Sequence, residues 1–267
     1  MKKLIHLSIL LVAAGAIAAC NGDSDDPISL DEEDAGHHGD EEDVISIGDV
    51  GQTNQSDRRC GDTIIHEWPL NDAVTTGVVS GDEDDGVWEL TIDASAGGMS
   101  NAANNPFVYI SLATAQRVDI TDVDSLDDDS WDLAFRRTAL RTNSGDSGPG
   151  SVSVAKEVNT TFEDVTTAPA ASNRYHTDVS LEDNCDPILD SIGNLYTAFN
   201  HLNVNNPSGS QSWYDYGSGG GMGVEPVEGD IYAVQIDDRD ETYKLEILAW
   251  DSGVYTLRFA PLDSALQ

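Results

Sequence analysis

The chain has 267 residues, of which about 210 remain once a leader and the acidic stretch behind it are set aside, a length that suits one large β domain or two small ones. Lys+Arg number 13 against 49 Asp+Glu, for a formal net charge of −36; without the two lysines of the leader, 11 basic residues face the same 49 acids, or −38. Such a surface repels phosphates, which argues against nucleic acid as a partner and against docking on anionic lipid.

Lys2 and Lys3 open the chain, Leu4 to Ile17 is an apolar stretch broken only by His6, Ser8 and Gly15, and Ile17-Ala18-Ala19-Cys20 follows. Basic, then apolar, then small residues make a secretory signal, and the apolar part is too short for a transmembrane helix. A cysteine directly behind the small residues looks like a lipobox, with residues 1–19 removed and Cys20 lipidated as the first mature residue. The other reading is an ordinary cleaved signal with an incidental cysteine. Residues 20–58 are mostly Asp, Glu, Gly, Ser and His. They carry too little apolar surface to offset the entropy of ordering and are expected to form a self-repelling tether. His37-His38 lies within it and reads as solvated rather than metal-binding. The acidic run behind Cys20 resembles surface-export signals of Gram-negative lipoproteins.

The rest, 59–267, is expected to be one β domain. Cys60 and Cys185 are its two cysteines; outside the cytoplasm they would form a disulfide, the alternative being two free thiols. Asp82-Glu83-Asp84-Asp85-Gly86 comes near an EF-hand start, but its glycine is one place early and Glu89 falls too soon for the closing ligand. With Asp127-Asp128-Asp129 it reads as solvated surface rather than a calcium site. Strand-sized runs follow in order: Val87 to Asp93, Phe107 to Ala113, Trp131 to Arg137, Ser151 to Val158 and Ile231 to Ile236. At the end, Tyr243, Leu245 and Ile247 share a face, Asp251-Ser252-Gly253 turns, and Tyr255, Leu257 and Phe259 return as a hairpin. One segment differs. Asp186-Pro187 fits an N-cap and first helical residue, and Ile188, Ile192, Leu195 and Phe199 recur at helical spacing, so a helix is predicted over 187–200, weakened by Gly193. The fold class is all-β, mainly antiparallel, with that one short helix.

Enzyme signatures are poor. No serine sits in a nucleophile elbow, no His-Glu pair has metalloprotease spacing, and the glycine-rich stretch 143–150 reads as a long turn between strands, not a phosphate cradle. With 49 acids, any two make a nominal glycosidase pair, which decides nothing. Two features stand out. Arg136, Arg137 and Arg141 cluster in a chain otherwise short of basic residues, and would either take an anionic ligand group or pair with the acidic surface. Trp213-Tyr214-Asp215-Tyr216 precedes the glycines of 217–223, which suits a flat apolar ligand or an aromatic core.

Trp131-Asp132-Leu133-Ala134-Phe135-Arg136-Arg137, with Arg141-Thr142-Asn143-Ser144-Gly145 and Gly148-Pro149-Gly150, resembles the hallmark of the HmuY family of haem-binding lipoproteins. The likeness continues in the block from Phe162 to Pro169, in Trp213 to Tyr216, in Ile231 to Val234, in Tyr243 to Leu248 and in Gly253 to Phe259. It runs in order from about Ile64 to the C-terminus.

The resemblance implies a hand-shaped, all-β, non-enzymatic haemophore held by lipid in the outer membrane, exposed at the cell surface and serving iron acquisition. Its cofactor would be haem b and its partner a TonB-dependent outer-membrane receptor. In the family, two His or two Met side chains hold the iron from loops between the Thr-Thr-Ala-Pro-like block and the strand before the last hairpin. Those loops here contain His176, His201 and Met222. His and Met are both competent iron ligands. Donors must reach the iron from opposite faces, so His201 with Met222 is the expected pair and His176 the replacement for His201. Arg136 or Arg141 would face the propionates, with Trp213 and Tyr214 lining the site. The alternative is a cell-surface structural or interaction lipoprotein that keeps the fold without haem.

Overall fold

A computed structural model of the protein describes residues 55–60, 63–157, 160–170, 174–189, 195–201, 213–216 and 223–263. Alternation of apolar and polar residues produces antiparallel strands throughout. β1 (Gln55–Cys60) pairs with β2 (Thr63–Asn71). β1 therefore begins at Gln55, inside the stretch read as tether. The main sheet has six strands: β3 (Val79–Asp84), β4 (Val87–Asp93), β14 (Val254–Pro261), β13 (Glu241–Asp251), β12 (Ile231–Ile236) and β9 (Val152–Glu157), in that spatial order. A second sheet of four strands runs β6 (Gln116–Val118), β5 (Val108–Ser111), β7 (Leu133–Arg136), β8 (Ala139–Thr142). β10 (Tyr214–Tyr216) and β11 (Val224–Pro226) form a small hairpin.

The two larger sheets share one core. Tyr243, Leu245 and Ile247 of β13, with Tyr255, Leu257 and Phe259 of β14, take alternate positions and bury one face against Val108, Ile110, Leu133, Phe135 and Leu140 of the second sheet. Each sheet is also covered outside. Phe162, Val165 and Leu262 pack over Ala155, Ile231, Ala233 and Ala260, while Phe107, Tyr109, Trp131 and Ala134 pack together on the other sheet. Burial of this kind, at about 25 cal/mol per Å² of apolar surface, is the main stabilising term.

The predicted strands appear, slightly trimmed, and the last hairpin turns at Ser252-Gly253, both with positive φ (55° and 101°). That is the backbone a two-residue hairpin turn requires. The acidic run 82–85 is another such hairpin end: Asp85 and Gly86 have φ of 51° and 80°, and Glu83 accepts the Gly86 N–H. Among the described residues, no group of three or more His, Cys, Asp or Glu is placed to hold a metal ion. Nor is any described helix long and apolar enough to cross a membrane.

Of the short helix predicted over 187–200, the described residues are helical only at its end. Pro187 and Leu189 sit in isolated β-bridges, to Leu181 and Leu195, and the α-helix, α1, covers only Ala198–His201. Backbone bonds to residues eight positions away replace helical ones here: Ile188 N–H donates to the Ser180 carbonyl and Tyr196 N–H to the Ile188 carbonyl. Asp186 does not cap a helix; its N–H is taken by the Asn184 side chain in a tight turn. That turn is where Cys185, with φ of 69°, bonds to Cys60, joining it to the end of β1 across 125 residues of sequence.

Candidate functional site

The arginine cluster and the residues around it lie between β5, β7 and β8, and most of it is buried. Trp131 is fully enclosed and donates its indole N–H to the Ser125 carbonyl at 3.1 Å, with Tyr109 packed edge-on at 5.0 Å. Asp132 accepts the Leu112 N–H at 2.7 Å on one oxygen and Arg239 at 2.7 Å on the other. Burial still pushes its carboxyl above the ordinary range. Arg136 lies 4.2 Å above the Phe107 ring and 3.8 Å from Asp122, and donates to the Asn105 carbonyl. Asp122 in turn accepts Asn71, Phe107 and Tyr109. Arg137 reaches the Ser252 carbonyl and stacks on Trp250 at 5.2 Å.

Arg141 is 3 % exposed and points inward. It donates to the Ser147 hydroxyl at 3.1 Å and carbonyl at 2.7 Å, below the face of Phe107. The arginines expected to meet propionates therefore have their guanidinium groups engaged within the fold, where they fix the turns around the sheet. Trp213 and Tyr214 are likewise buried, 1 % and 5 % exposed. The Trp213 indole donates to Thr138 at 3.2 Å and packs at 5.1 Å from Tyr255. Both belong to the core shared by the two larger sheets.

The long turn 143–150 docks the segment that carries His176. Asn143 bridges the Asp128 and Trp131 carbonyls and accepts the Gly150 N–H. Gly145, at φ 54°, brings its backbone so close to Asp178 that an added Cβ would stand 2.0 Å from the Asp178 carbonyl oxygen. Asp178 is buried; its Oδ2 accepts the Thr142 N–H at 3.0 Å, and its Oδ1 accepts both the Thr142 hydroxyl and the Ala198 N–H at 2.8 Å. Its own N–H reaches Ser144, and its carbonyl accepts Asp146. Burial, with no ion-pair partner among these contacts, pushes this carboxyl up as well. Asp146 accepts the Ser180 and Leu181 N–H groups, and Ser180 donates to the Tyr196 carbonyl.

This frame carries two histidines. His176 exchanges both backbone hydrogen bonds with Val154 of β9, at 2.9 Å each. His201 is the last residue of α1, whose Phe199 packs 5.0 Å from Tyr232 of β12. The side chain of His201 and the whole of Met222 lie outside the described residues, as does Cys20. Two buried hydroxyls among the described residues have no hydrogen-bond partner, Tyr175 Oη and Thr197 Oγ1. One adjoins His176 and the other lies in the segment leading to His201. Burial pushes the Tyr175 phenol up to about 12. Asp178 was not singled out from the sequence: among 49 acids, nothing in His176-Thr177-Asp178-Val179 marks this one as buried.

No curated protein matches the chain. The family model of the HmuY protein matches residues 103–256, more than half of the sequence and all of β5 to β13. The chain belongs to the HmuY family.

Proposed function

We propose that the protein is a lipid-anchored haem- or porphyrin-binding protein of the cell surface, non-enzymatic, which serves iron acquisition by passing haem to a TonB-dependent outer-membrane receptor. Family membership supports the haem-binding class. The observation that carries the reading is the pairing of two histidine-bearing segments on one buried frame, with both unpartnered buried hydroxyls lying in those same segments. Buried polar atoms are normally satisfied, so these two hydroxyls, the ones without a partner among the described residues, support a polar ligand group beside the same segments.

The donor types suit an iron porphyrin: the imidazole of His201 and the thioether of Met222, on separate segments, would hold the iron, with the His176 imidazole as the replacement for His201. Haem b, when bound, would supply an iron that takes imidazole or thioether side chains from the chain. The chain's own part is to hold the donors apart and oriented. Arg136 and Arg141 also brace the fold, through Asn105 and Asp122 and through Ser147. Cys20 would carry the lipid, residues 20–58 the tether and 59–267 the binding domain.

The inward arginines and the buried Trp213 favour a second reading, a surface interaction module that keeps the fold without haem. Titration of the purified chain with haemin separates the two. A saturable Soret band at one haem per chain supports the haemophore; a spectrum equal to free haemin supports the module.

A further inference from the structure

Resting on the haem-binding reading, we infer that Asp178 is the positioning residue of the site: one buried carboxyl that clamps the His176 segment and the His201 segment to β8 as a single unit. It stands two residues after His176, and the Ala198 N–H that it accepts lies three residues before His201. The Thr142 N–H and hydroxyl fix the same carboxyl to the sheet. Its main chain is held again by Ser144 and Asp146, so the His176 side of the clamp has little freedom. Neither histidine segment can shift on β8 without losing a hydrogen bond to this group.

The chemistry of the side chain matters. Two backbone N–H groups approach it, Thr142 on Oδ2 and Ala198 on Oδ1. A carboxyl offers an oxygen to each, whereas an amide offers only one. Asp178→Asn, nearly the same in shape, must turn its NH2 toward either Thr142 or Ala198. That leaves donor facing donor in a dry setting and frees one segment from the clamp. Groups that orient metal ligands without touching the metal typically change affinity by about 10–100-fold when removed.

Asp132 supplies the control for a purely structural role. It too is a buried carboxyl accepting a backbone N–H, from Leu112, and an arginine, but its partners Leu112 and Arg239 lie on neither histidine segment. The test compares the full chain with Asp178→Asn, Thr142→Val and Asp132→Asn. Thr142→Val removes the hydroxyl donor to Asp178 and keeps the backbone donor, so it stands in should Asp178→Asn fail to fold. Two readouts are taken: haemin affinity with its spin-state bands, and amide hydrogen exchange of the haem-free chain. Expected for Asp178→Asn is haemin binding weakened about 10–100-fold with growth of high-spin bands, and faster exchange in 176–181 and 195–201 together. Thr142→Val shifts both readouts the same way by less, and Asp132→Asn lowers thermal stability while moving neither. Wild-type affinity, spectrum and exchange in Asp178→Asn and Thr142→Val, or an equal spectral shift in Asp132→Asn, overturns the clamp. A wild-type chain that binds no haemin overturns the functional reading and the ligand role with it, and the exchange data then decide separately whether the two segments are coupled.

Discussion

Arg141 holds Ser147 by two bonds, Nε to the hydroxyl at 3.1 Å and Nη2 to the carbonyl at 2.7 Å, and so closes the turn on which the His176 segment rests. A lysine has neither the fork nor the flat face that lies over Phe107. Arg141→Lys is expected to lower stability by about 1.5–3 kcal/mol, the range for hydrogen bonds to a charged group, measured by urea denaturation. Haemin affinity lost at unchanged stability would place Arg141 on the ligand instead.

The Cys60–Cys185 disulfide closes a loop of 125 residues and ties β1 to the segment between the two histidines. Loops of this length put the stabilisation at roughly 2–5 kcal/mol. A Cys60→Ser, Cys185→Ser double variant should lose that amount in denaturant unfolding. Thiol counting on the denatured, unreduced wild type should find no free thiol from this pair. Two would refute the bond.

Asp132 and Asp230 both have carboxyls pushed up by burial. Such groups bind protons more tightly folded than unfolded. The stability they add is therefore fully present below the ordinary carboxylate value of about 4 and is lost as pH rises through their raised folded values. Falling self-repulsion in a chain of net charge −36 works in the same direction. Glu163 is lowered, chiefly by a backbone hydrogen bond, and opposes them only below the ordinary range. The thermal midpoint should rise or hold between pH 8 and pH 5, with a flatter profile in Asp132→Asn. A steady fall over that interval would contradict this.

The strands were legible both where one face alone is buried, as in β4 and β13, and where a short run is apolar on both faces, as in β12. Tyr243, Leu245 and Ile247 announce their face by alternation, and β4 and β12 fall on the predicted residues. The stretch around Pro187 misled because Ile188, Leu195 and Phe199 mimic a helical stripe, while bonds to Ser180 and between Ile188 and Tyr196 decide its conformation. Those partners are set by tertiary packing and leave no trace in local spacing. The arginine cluster was found for its charge, but that three neighbouring arginines turn toward Phe107, Trp250 and Ser147 depends on which strand face is covered on both sides.

The proposed lipid attachment rests on residues 1–20. With Cys20 directly behind Ile17-Ala18-Ala19, Cys20→Ala should appear in soluble fractions or remain unprocessed, as read by fractionation and intact mass. A variant that is cleaved normally and stays with the membrane would refute lipidation at Cys20.

The most direct measurement is the absorption spectrum of the haemin complex in the wild type and in His176→Ala, His201→Ala and Met222→Ala. The account predicts a low-spin, doubly ligated spectrum in the wild type. Removing either member of the axial pair should convert it to high spin, and His201→Ala should weaken binding more than Met222→Ala because it removes the nitrogen donor. If His201 and Met222 variants keep the wild-type spectrum while His176→Ala loses it, the pair includes His176 instead. Wild-type spectra in all three variants with haem still bound, or no complex at all, would contradict haem ligation by these segments.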